Sequence, residues 1–187
     1  MRTAGAFSLT RNIFCMLIIA AAAGCSGRDG SLWRFDGIVV PDPGEHPQVR
    51  EALTLLRDKE PALYSLLRKH VRKIDTSLYH EMSYPFYDYL YLAQAALDRG
   101  GGYTASVVGH ELMHVVINGV RRKTAPAGDI RLLGIPELTP ATIAGMPKIM
   151  EEGIAYRFQE KLLLKFGTDT DIEYHRLRVK KINEKRK

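Results

Sequence analysis

The chain has 187 residues, 45% hydrophobic and 26% charged, with a formal net charge of +6. That length supports one self-sufficient core, and composition of this kind argues against a disordered or low-complexity chain. Most of the positive excess lies in the last 13 residues, HRLRVKKINEKRK, read as a solvated tail with a possible attraction to anionic lipid or wall polymer. No nucleic-acid-binding module accompanies it, so nucleic acid is not expected as a partner.

At the N-terminus, Arg2 and Arg11 precede the apolar run Ile13 to Ala23. This run is too short to span a bilayer, which takes about 20 residues, but it suits the core of an export signal. It ends in AAAGCSG, which resembles the bacterial lipobox, with Gly24 before Cys25 and Ala22 at the position where Leu is usual. The resemblance implies a signal over residues 1–24 and a mature N-terminus lipidated at Cys25, held to a membrane of the cell envelope on its periplasmic or extracellular face. A cut after Ala21–Ala23 would instead release a soluble exported protein. Cysteine usage fits the anchor. Cys15 falls in the signal, Cys25 is the only other cysteine, and a free thiol is a liability outside the cytoplasm.

Residues 25–44 are expected as a tether: SGRDG is flexible, FDGIVV has the makings of a strand and PDPG of a turn. The folded domain is expected over 45–187. Val49, Leu53 and Leu56 mark one helix, and Leu63, Leu67, Val71 and Ile74 a second, with Pro61 in its first turn. His70 borders that second stripe and reads as a packing residue. In YPFYDYLYL, tyrosines 87, 89 and 91 alternate with Asp88, Leu90 and Leu92, which predicts a short strand. DRGGGYT then forms a loop whose glycines lack phosphate-binding spacing. A helix is expected from an N-cap at Thr104 to Asn118, stopped by Gly119.

That helix contains VVGHELMHVVING, two histidines and a glutamate in an otherwise apolar run. Residues four apart share a helix face, so His110 and His114 can aim both imidazoles at one point, as a single zinc ion requires. Glu111 is turned about 100° from His110, and is placed to take a proton from a water on that ion. A metal would explain polar groups in a segment built for burial. A third ligand is needed. Glu137, Glu151 and Glu152 are candidates: the first lies in GIPELTP, the others open the helix PKIMEEGIAYRFQEKLLLKF, whose buried arc is Ala155, Phe158, Leu162 and Phe166. Glu151 and Glu152 flank that arc about 50° to either side, and periodicity does not choose between them.

HExxH at 110–114 followed by EEGIA at 151–155 resembles the gluzincin branch of zinc metallopeptidases, over about 50 residues from Thr104 to Gln159. The resemblance implies Zn²⁺ held by His110, His114 and Glu152, with Glu111 as general base. It also implies a small, mainly helical α+β zincin-like domain that hydrolyses peptide bonds. Protein and cell-wall peptide are both candidate substrates. Gly153 would allow close approach of the two ligand-bearing helices, and the tyrosine strand at 87–92 would pair with extended substrate. Tyr156, one turn after Glu152, is a candidate to orient a ligand or the developing oxyanion, with His175 and Tyr103 as alternatives. The 37 residues from His114 to Glu152 exceed the spacing in many members and must fold back. A zinc-binding lipoprotein acting as a scaffold is the alternative; an intact Glu111 favours the enzyme.

Overall fold

A computed structural model describes residues 32–184. Residues 1–31 and 185–187 lie outside the described residues, and with them the expected export signal at 1–24 and the expected lipidation at Cys25. The fold is α+β: a five-stranded sheet in the order β1-β2-β3-β5-β4, with helices packed around one apolar core.

The sheet begins within the stretch expected as tether. Trp33–Phe35 (β1) and Ile38–Val40 (β2) form an antiparallel hairpin rather than one strand. Asp36 and Gly37 both take positive φ, 48° and 93°, the backbone that an Asp-Gly two-residue turn favours. Two helices follow, Pro47–Lys59 (α1) and Pro61–His70 (α2), each opened by a proline in the position where the missing N–H costs nothing. Val49, Leu53, Leu56, Leu63 and Leu67 are buried as expected. Val71 and Ile74 are buried too, but not on the helix. Val71 is already extended, and Ile74 belongs to strand Lys73–Thr76 (β3), which runs parallel to β2 and β5.

The tyrosine segment is a second hairpin, Tyr84–Phe86 (β4) and Tyr89–Leu92 (β5), turning at Tyr87 with φ 56°. Tyr84 stacks on its cross-strand partner Tyr91 at 4.9 Å. β5 is interior, between β3 and β4, so its backbone edges are taken. The edge strand on this side is β4, with β1 at the other edge of the sheet, and Pro85 within β4 has no N–H to present, as suits an edge.

Gln94–Leu97 (α3) leads into the central helix, Gly101–Arg121 (α4), buried nearly all round from Gly101 to Ile117. It is longer than expected at both ends. Thr104 is not its cap: its hydroxyl donates back to the carbonyls of Gly100 (2.8 Å) and Ala96 (3.1 Å). Gly119 stays helical and gives room to Ala125 where the chain folds back; a Cβ there would lie 2.8 Å from the Ala125 Cβ. The fold-back carries Asp129–Leu132 (α5) and Pro140–Ala144 (α6), the latter opened by a reciprocal cap between Thr139 and Thr142. His70 is more than a packing residue: it and Lys69 both bind Asp129, at 2.7 and 2.8 Å, fastening α5 to α2. Lys148–Phe166 (α7) buries Ala155, Phe158 and Leu162 against α4, and Asp169–Glu184 (α8) closes the described chain. No helix among the described residues is long and apolar enough to cross a membrane.

Close approach of α4 and α7 rests on glycines of α4, not on Gly153. A Cβ on Gly102 would stand 2.2 Å from the Phe166 carbonyl oxygen, and one on Gly109 would stand 2.2 Å from the end of Leu162, whereas Gly153 has only the tip of Arg157 at 3.9 Å. Gly102→Ala is therefore expected to lower stability by about 1–3 kcal/mol, because backbone must move. Gly153→Ala is expected to raise it by up to about 1 kcal/mol through helix propensity. Urea denaturation of the two variants checks both signs.

Candidate metal centre

The buried middle of α4 holds His110, Glu111 and His114, whose ligand-capable atoms all lie within 4.8 Å of one another; this group could hold a metal ion. Glu152, just past the first turn of α7, comes close to the two histidines. His110 Nε2 and His114 Nε2 are 3.3 Å apart, and the Glu152 oxygens stand 3.6 Å from His114 Nε2 and 3.8 Å from His110 Nε2. Donors on a tetrahedron with bonds of 2.0–2.1 Å are separated by about 3.3–3.4 Å, the separation of the two imidazole nitrogens, while the two Glu152 distances belong to different oxygens, Oε2 toward His110 and Oε1 toward His114.

The second carboxylate on α7 has a different task. Glu151, fully buried, accepts from His114 Nδ1 at 2.6 Å and from Arg121 at 2.5 Å. With a proton held on Nδ1, the lone pair of His114 is left on Nε2, toward Glu152 and His110. Arg121 also donates to the carbonyls of Ile143 (3.2 Å) and Met146 (3.1 Å), so one ion-paired network joins the end of α4 to α6 and the segment before α7. Sequence reading missed Arg121. The signal was there, since Arg121 lies seven residues, two helical turns, beyond His114 on the same face.

Glu137 is not part of the site. It is exposed in its loop, 3.7 Å from Arg157. Tyr156 packs its ring against His110, with centroids 5.0 Å apart, and lines the cleft. His175 is turned away, with Nε2 bonded to the Tyr156 backbone carbonyl at 3.0 Å. Tyr103 is buried beneath Arg99 and Tyr174, and does not line the cleft. The cleft has a volume of about 430 Å³ and runs past His110, Glu111, His114 and Glu152, with Tyr84 and Pro85 of the free edge strand along one wall. The strand beside the cleft is thus β4, not the one expected at residues 87–92.

The two α7 carboxylates at the site are held ionised and His114 is held protonated. Burial alone would raise both α7 carboxyls, but the hydrogen bonds from His114, with Arg121 at Glu151, and the nearby charges of His114 and Lys148 hold them well below the usual carboxylate range. Burial also acts against charge on His114, yet its bonds to Glu151 and Glu152 win and raise it to about 9. His110, buried and facing charged His114, is lowered to about 3, and burial pushes the Glu111 carboxyl up to about 7. A metal ion would take the place of the His114 proton. Uptake of zinc at pH 7 is accordingly expected to release one to two protons: the whole of His114's and part of Glu111's, His110 being neutral already. Affinity should climb with pH and level off near pH 9, since the raised His114 must lose its proton to bind. Calorimetry in two buffers of different ionisation enthalpy counts the protons, and uptake without release would contradict the ligand role of His114.

No protein-family model, no curated protein and no solved structure matches the chain.

Proposed function

We propose that the chain is a zinc-dependent peptide hydrolase of zincin-like fold and gluzincin type, exported and anchored in the cell envelope through a lipid on Cys25. The observation that carries this reading is the proximity of two imidazoles and the Glu152 carboxylate, with the Glu111 carboxyl beside them; His114 would give up its proton to a metal ion. His110, His114 and Glu152 would hold the ion. When bound, zinc acts as a Lewis acid that acidifies water to a pKa of about 7 and polarises a carbonyl.

The remaining work falls to the chain itself. Glu111, raised to about 7, can take a proton from water and give it to the leaving amine near neutral pH. Glu151 keeps the His114 imidazole oriented with Nε2 toward the ion. Tyr156, against His110, is on hand to hydrogen-bond the developing oxyanion. The free edge of β4 offers backbone groups to an extended peptide, which tolerates many sequences. A binding scaffold has no use for Glu111 in this position.

A broad peptide library incubated with the zinc-loaded protein tests the reading. Cleavage should occur, stop with chelator and return with zinc; no cleavage of any peptide would leave a metal-binding protein in place of an enzyme. Cys25→Ser is expected to move the protein from the membrane fraction to the soluble one. Retention of that variant in the membrane fraction would overturn the anchor.

A further inference from the structure

Among the described residues lining the cleft, Arg178 is a cation with no carboxylate in ion-pair distance. Lys148 stands 3.2 Å from Glu152 and 3.6 Å from Glu151, so its charge is matched. Arg121 is bound to Glu151 from outside the cleft. Arg178 of α8 also lines the cleft, and among the described residues no carboxylate lies within ion-pair distance of it. Its guanidinium is half-buried against the Tyr103, Tyr156 and Tyr174 phenols, and Nη2 donates to the Glu81 backbone carbonyl at 2.8 Å. Arg178 lines the same cleft as His110, Glu111 and His114.

A half-buried cation without an anion costs free energy, whereas charge left over in a cleft attracts a ligand of opposite sign. The group also has a defined shape. A guanidinium presents five N–H donors in a planar fork that fits a carboxylate in two-pronged fashion, and the Glu81 carbonyl takes one of them. The bond to Glu81, 97 residues away, fixes the side chain against the loop before β4, so little freedom is lost on binding.

We propose that Arg178 is the carboxylate receptor of the cleft, holding a peptide by its free C-terminal carboxylate or by an acidic side chain near the reacting bond. This rests on the peptide reading of the site. It makes the preferred substrates acidic or carboxy-terminal peptides, on a protein whose own net charge is positive.

Binding rather than turnover provides the test, with Glu111→Gln in the full-length chain preventing hydrolysis. Three fluorescent hexapeptides are compared by anisotropy: a neutral peptide with a free C-terminus, the same peptide amidated, and an amidated form with a central Glu. At least one carboxylate-bearing peptide should bind about 10- to 100-fold tighter than the neutral amide, the range of one charge-assisted contact. Whichever of the two binds tighter identifies the source of the carboxylate. The preference should survive removal of zinc, and should vanish in Arg178→Gln and shrink in Arg178→Lys, which keeps the charge without the fork. A purely structural role for Arg178 would weaken all three peptides equally. Equal or absent binding of the three peptides, or a preference unchanged in either variant or lost with zinc, overturns the proposal. Library cleavage by the unmodified protein is read separately: binding with a carboxylate preference but no cleavage would end the hydrolase reading and leave Arg178 in this role.

Discussion

Glu111→Gln is expected to lower kcat about 10²- to 10⁴-fold, the contribution typical of a general base, while zinc content and fold are kept. The glutamine has nearly the same shape, so the packing of α4 is undisturbed. It also carries no charge, and Glu111 is 5% exposed with its carboxyl pushed up by burial to about 7. Native Glu111 stabilises most when protonated: a raised carboxyl contributes fully below about 4.5, its unfolded value, and that contribution is lost as pH rises through 7. A neutral glutamine removes this dependence, so the variant should be at least as stable as the parent at pH 8. Peptide hydrolysis, zinc analysis and urea denaturation on one preparation read all three, and unchanged activity would leave Glu111 without a catalytic role.

The two adjacent glutamates of α7 should separate cleanly. Glu151→Ala strands Arg121 and His114, both bonded to a carboxylate that is fully buried, and removal of one member of such a network costs about 3 kcal/mol or more. Zinc affinity should fall about 10- to 100-fold as His114 loses its orienting partner. Glu152→Ala removes a side chain that is 19% exposed, 3.2 Å from Lys148 and 3.6 and 3.8 Å from His114 and His110. Its stability cost should be smaller and its loss of zinc larger than for Glu151→Ala. Urea denaturation of the metal-free proteins and a zinc titration decide the matter; the opposite ranking would exchange the roles of the two residues.

How far the sequence could be read follows from the range of the interactions involved. His110, Glu111 and His114 were legible because spacing along one helix sets their geometry. Glu151 and Glu152 sit evenly about the buried arc of α7, so only the arrival of α4 distinguishes their surroundings; there the choice of Glu152 came from the resemblance to gluzincins. Val71 and Ile74 continued the helical spacing of Leu63 and Leu67 by coincidence, although Val71 is extended and Ile74 lies in a strand where it pairs with Leu90. The turn at Tyr87 broke a period-two pattern without any glycine to announce it. Asp36-Gly37 did carry such a signal, and the hairpin there was readable. Arg178 became visible only in three dimensions, where α8 returns to the cleft.

The most direct measurement is a zinc titration of the purified protein against a chromophoric chelator, alongside a variant in which His110, His114 and Glu152 are all alanine. One tightly held zinc per chain in the parent and none in the variant is the expected result. A parent that yields its zinc to the chelator from the outset, or a variant that holds the metal equally well, would contradict the site.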